Sequence, residues 1–118
     1  MSTKNKLYQG IVESAHGPAL IIEAGQVVDV NDSALGILGL SKKALMGRPW
    51  LSLLTPEQPD GQTVETSFQQ KIDRVKEQGQ AAFNWQIQSA DDQIVQIAGM
   101  LYRLDVGGTE AIQISLST

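Results

Sequence analysis

The chain holds one histidine, His16, and no cysteine, which leaves little from which to build nucleophilic chemistry. A nucleophile needs a base within reach and a third group that orients the base, and a lone imidazole without a thiol does not assemble that set. The absence of cysteine also excludes a disulfide framework and a thiolate metal site. His16 reads as a surface residue that ends a helix. Asp91 and Asp92 are an adjacent carboxylate pair, yet neighbours in a turn point apart and no further ligand lies close in sequence, so they read as solvated turn residues. Gly107-Gly108 is a turn rather than a phosphate loop, because no helix follows it. What remains is Trp50 and Trp85, which offer stacking surfaces, and Asn31, which offers an amide. Asn31 has two readings: a helix cap, worth about 1 kcal/mol, or a polar group presented to a ligand.

The elements that must position these residues follow from periodicity. Leu7, Ile11 and Ala15 recur at spacing four, with Tyr8 and Val12 alongside, and predict an amphipathic helix from Lys4 to Ala15 that ends at His16-Gly17-Pro18. Ala19 to Glu23 and Gln26 to Val30 are β-rich runs joined by Ala24-Gly25, close enough for a tight hairpin. Asn31-Asp32-Ser33 starts a short helix that Gly39 stops, and Ser41 caps another that ends at Gly47, with Pro49 beyond. Trp50 to Leu54 is apolar but of undetermined type, and residues 55–61 are loop. The longest helix runs from Val64 to Gln78, with Phe68, Ile72 and Val75 on one face and Gly79 at its end.

The last third alternates apolar and polar residues. Phe83, Trp85 and Ile87, then Val95, Ile97 and Leu101, then Ile112, Ile114 and Leu116 each place an apolar row on one face of a strand. Turns at Asp91-Asp92 and Gly107-Gly108 connect the three. Two strands, short helices, one longer helix and three strands make an α+β domain with its helices on one sheet face.

At 118 residues there is room for one core, and 42% hydrophobic content supplies it without a staple. Residues 1–16 read as an amino-terminal helix and 17–118 as the domain. The net charge is −4, and no basic cluster exceeds Lys42-Lys43, so a nucleic-acid partner is not expected. The amino terminus has no signal-peptide core, and no apolar run is long enough to span a bilayer, so a cytoplasmic domain without membrane contact is expected.

The order of elements, and several motifs in that order, resemble the PAS family along nearly the whole chain. Val27-Val28-Asp29-Val30-Asn31-Asp32-Ser33-Ala34 resembles the family's second strand and Asn-led helix entry. Ile37-Leu38-Gly39-Leu40-Ser41 and Leu45-Met46-Gly47-Arg48 resemble its next two helix stops. Gln58-Pro59-Asp60-Gly61, Phe83-Asn84-Trp85 and Leu101 to Gly108 resemble segments of a common bacterial subgroup. Asp92 departs from the pattern, standing where the family usually has glycine.

The resemblance implies a five-stranded antiparallel sheet in the order 2-1-5-4-3, with short helices folded over one face as a cup and an amino-terminal helix flanking it. It implies a non-enzymatic sensory module of signal transduction, such as two-component or cyclic-dinucleotide signalling. The ligand-binding residues expected in the cup are Phe68, Ile72, Val75, Trp85, Ile87, Ile97, Ile112 and Ile114, with Asn31 at its mouth. In haem-binding relatives a His on the long helix holds iron, and Val64 to Gln78 has none. A cysteinyl flavin or coumaroyl group is excluded by composition. Non-covalent FAD stays open as the basis of a redox sensor, although the lining lacks paired amides for its polar edge, each unpaired group costing roughly 1–3 kcal/mol. A small apolar ligand suits the lining better, and an interior filled by its own side chains is the alternative. The expected partners are a second copy, met through Leu7, Tyr8, Ile11 and Val12 and the sheet face, and an attached or associated signalling output.

Overall fold

Five strands form one antiparallel sheet: β1 (Ala19–Glu23), β2 (Gln26–Val30), β3 (Gln80–Gln88), β4 (Ile94–Val106) and β5 (Thr109–Leu116). Their order is β2-β1-β5-β4-β3, the order that the resemblance implies, with β5 at the centre. This computed structural model describes residues 3–58, 61–88 and 92–117.

Strict alternation gives the sheet two dissimilar faces. On the inner face Leu20, Ile22, Phe83, Trp85, Ile87, Ile97, Leu101, Ile114 and Leu116 join the main core. On the outer face Ile21, Val106 and Ala111 form a second, smaller core with Tyr8 and Val12.

The helices end where their capping residues dictate. In α2 (Asp32–Leu38) the Asn31 side chain accepts from the Ala34 N–H, and Gly39 closes the helix in the left-handed region at φ 69°. Ser41 caps α3 (Lys42–Leu45) in the same way. The undetermined apolar run is a 3-10 turn, Trp50–Leu53, which buries Trp50 and Leu53. In α4 (Val64–Gln78) Thr63 is the cap, Glu65 lies in the first turn and Lys76 in the last, matching the helix dipole at both ends. Helices α2, α3, α4 and the 3-10 turn belong to the inner side.

The remaining helix, α1 (Thr3–Ser14), lies on the outer side, and here the expectation of a partner-facing stripe is corrected. Tyr8 and Val12 are sealed against the chain's own sheet, at 0% and 1% exposure, and Ile11 packs beside them. Of the four residues assigned to a dimer contact, Leu7 alone is exposed, at 46%. The sheet's outer face is apolar between β1 and the end of β4, and the helix stripe finds its complement there before any second copy is needed. Among the described residues no helix is long and apolar enough to cross a membrane.

Both sheet edges are partly covered by the chain itself. Along β2, the Val27 N–H donates to the Arg48 carbonyl and the Gly47 N–H to the Val27 carbonyl. Along β3, Gln58 lies buried in a segment expected to be plain loop: its Oε1 accepts from the Gln86 N–H at 2.7 Å while its Nε2 donates to the Thr55 carbonyl at 2.8 Å. One side-chain amide thus does what a neighbouring strand would do.

Two turn positions carry strain. Ala24 and Gly25 take φ 51° and 81°, and positive φ at both central residues is the hairpin turn that matches strand twist, at some cost where a Cβ is present. Asp92 sits at φ 58°, which accounts for the family's preference for glycine there. Its neighbour Asp91 lies outside the described residues, as do Pro59 and Asp60 of the loop motif.

Candidate functional site

The inner core is dominated by four aromatic rings. Trp85 stands at its centre, stacked on Phe83 at 4.7 Å and tilted against Phe68 at 5.9 Å and Trp50 at 6.3 Å. The Trp85 indole N–H donates to the Ser67 hydroxyl at 3.0 Å, both groups buried. Ser67 was not anticipated from sequence; its spacing of three from Val64, on the buried side of α4, is the signal that could have revealed it. These rings close the interior behind α4.

In front of them lies a groove of about 280 Å³ between α4, the β1–β2 hairpin and β5. Phe68, Ile72 and Val75 line it from the helix, Ile22, Ala24 and Gly25 from the hairpin, and Ile112 from β5, with Gln69, Lys76 and Glu110 at the rim. Glu110 is held by Arg103, 3.4 Å away on β4. The volume is close to the lower bound of about 300 Å³ for drug-sized ligand sites, so the groove suits a small, mostly apolar molecule.

The residues predicted as ligand-binding therefore divide. Phe68, Ile72, Val75 and Ile112 meet at the groove. Trp85, Ile87, Ile97 and Ile114 are core residues sealed behind it, between 0% and 3% exposed. Periodicity distinguishes the inner face from the outer one but not a filled part of the face from an open part. The walls missed were Ile22 with Ala24 and Gly25, because β1 reads as a continuous apolar run.

Asn31 is bound into the scaffold by its side-chain amide. Its Oδ1 accepts from the N–H groups of Ala19 and Ala34, at 3.1 and 3.0 Å, and its Nδ2 donates to the carbonyls of Val12 and Gly17, at 3.0 and 2.9 Å. Both donors and both acceptor directions of the amide are thus committed to backbone. The side chain joins α1, β1 and α2 at one point.

The sequence model of the PAS fold matches residues 6–102. The chain belongs to the PAS family. PAS domains are signal-sensing modules, generally not catalytic. Solved PAS domains share the fold at low identity. One from Colwellia psychrerythraea is 20% identical with a TM-score of 0.72, each chain covered to 92%. One from a two-component sensor histidine kinase is 12% identical with a TM-score of 0.69, covering 95% of this chain and 93% of that one. A third, from a LuxR-family transcriptional regulator of Burkholderia thailandensis and solved in complex with ethanol, is 16% identical with a TM-score of 0.68, covering 92% and 96%. No curated protein sequence matches the chain.

Some PAS domains hold flavin, and the residues present here do not fit FAD. The aromatic rings fill the interior, and the groove is smaller than a dinucleotide with a three-ring isoalloxazine requires. The groove rim offers one side-chain amide, Gln69, where the isoalloxazine edge needs several hydrogen-bond partners.

Proposed function

We propose that this PAS domain is a cytoplasmic, non-enzymatic sensory module whose groove takes a small apolar molecule and whose occupancy alters the seating of α1, thereby regulating an attached or associated output. One observation carries the reading: β1 serves both sites. Ile22, at an inward position of the strand, and Ala24, in the turn that follows it, line the groove. Ile21 packs under Tyr8 and Val12 on the opposite face, and Glu23 takes the Lys4 ammonium of α1 at 2.7 Å. A ligand that moves the hairpin by a fraction of an ångström acts on both contacts of α1, and a ligand shifts an equilibrium only through such differential contacts. The relation to domains of a histidine kinase and a transcriptional regulator supports a bacterial signalling output, of the two-component kind or a comparable one.

The test fills the groove from within. Ile72→Trp should leave the domain folded and abolish the thermal stabilisation that small apolar ligands give the wild type. An unchanged response in that variant would remove the groove from the proposal.

A second reading, homodimerisation, rests on the part of the outer face that α1 leaves uncovered. Met100 and Tyr102 are half-buried there, and Leu7 is exposed on the helix. The dimer contact is thus proposed to use Leu7 and the outer side of β4, without Tyr8 and Val12. Leu7→Glu should give a folded monomer in sedimentation; an unaltered oligomeric state counts against this contact.

A further inference from the structure

The two indoles of the aromatic core are treated differently. Trp85 has an acceptor built for its N–H, the Ser67 hydroxyl. Trp50, fully buried and 6.3 Å away, has none among the described residues: its Nε1 is sealed from solvent without a hydrogen-bond partner there. More than nine in ten buried polar groups are paired, and a buried donor without an acceptor is destabilising. The N–H therefore calls for an acceptor that the described residues do not provide.

One wall of the groove is next to it: the Trp50 backbone N–H donates to the carbonyl of Gly25, which lines the groove, at 2.8 Å. Phe68 lines the groove, and its ring is also the one that meets Trp85, which in turn meets Trp50. Phe68 is only half-buried while both indoles are fully enclosed, so it is the member of the cluster with room to turn.

We infer that the groove's ligand is an apolar molecule carrying a carbonyl-type oxygen, and that this oxygen accepts the Trp50 N–H once Phe68 turns aside. The chemistry is constrained by the donor. An indole N–H only donates, so the ligand must accept, which excludes an ammonium group. A hydroxyl would bring a donor of its own, and the Ser67 oxygen that stands in this cluster already accepts the Trp85 N–H. The ketone, ester or aldehyde class meets the requirement. This inference rests on the groove reading proposed above, and the experiment separates the two.

The chain has two tryptophans and therefore two indole N–H resonances. Trp50→Phe removes one and assigns both. Acetophenone and α-methylstyrene are the probes, having nearly the same shape but with C=O in one and C=CH2 in the other. Both should shift the methyl resonances of Ile72 and Ile112, and acetophenone alone should move the Trp50 N–H downfield in a saturable way. Trp50→Phe should weaken acetophenone binding about tenfold, as expected for one buried hydrogen bond, with α-methylstyrene unaffected. If both probes shift the methyls while the Trp50 N–H stays in place, the inference is overturned and the groove stands. If neither probe shifts the methyls, the groove reading fails and the inference falls with it. Should Trp50→Phe not fold, the wild-type resonances still decide, because the two indole environments differ.

Discussion

Asn31 ties α1, β1 and α2 together through one side chain. Asn31→Ala removes a helix cap, worth about 0.5–2 kcal/mol, and also frees the Val12 and Gly17 carbonyls that its Nδ2 holds. The expected loss is about 2–4 kcal/mol in urea unfolding, larger than a cap alone, because neighbouring backbone groups lose partners as well. Asn31→Asp, which keeps the acceptor and lacks the amide donor, should fall between the two. Tyr8 makes a different residue-scale case. Burial pushes its phenol above the ordinary value of 10.0, and the Glu23 carboxylate adds to the rise. A raised folded value means that the neutral form is the one that fits, so this contribution is complete below pH 10 and is lost as pH climbs through the raised value. Stability should therefore decline in alkaline solution in step with Tyr8 ionisation, and Tyr8→Phe should flatten that decline; equilibrium unfolding between about pH 9 and pH 11 checks it.

Among the elements, β4 and β5 are held at a separation that admits no side chain at one point. Gly99 pairs with Leu116 and Phe83 on its two sides, and a Cβ added to it would collide with the Ser115 carbonyl oxygen. Gly99→Ala must push backbone away from backbone, so it should cost about 1–3 kcal/mol or more, as overpacking does, with the loss visible as a lower urea midpoint. The sequence shows Gly99 only as one inward position in an alternating strand, and its tight contact belongs to the partner strand. That is the general pattern of what was legible. The bounds of β1, β2 and α4, the caps at Asn31, Ser41 and Gly79, and the inner face of β3 to β5 all follow from local chemistry and period. The burial of Gln58, the Ser67 acceptor and the placement of α1 on the outer face do not, because each depends on what a distant segment offers. Tyr8 and Val12 read as a stripe in search of a surface; only the assembled sheet shows that the surface is the chain's own.

On the scale of the whole molecule, the sheet is a partition with the groove on one side and α1 on the other, and β1 is the strand common to both. Ligand in the groove should therefore change backbone hydrogen exchange along Thr3–Ser14 even though no α1 residue touches the groove. Faster exchange would mean that occupancy loosens the helix, and slower exchange that it tightens it. No change in α1, with protection gained in α4 alone, would confine binding to a local event and disconnect it from the output.

The position of β5 has another consequence, which concerns how the sheet comes into being. Leu20 pairs with Ile114 and Leu101 with Ile114 from the opposite side, so the last of the five strands to leave the ribosome is the one that joins the two halves of the sheet. Until it arrives, β1 and β4 each present an open edge, and the two hairpins have no common register. Contacts of such long sequence separation fold slowly and leave strand edges exposed in the interim. The sheet therefore waits for its keystone: its completion and the closure of the groove coincide with the emergence of β5.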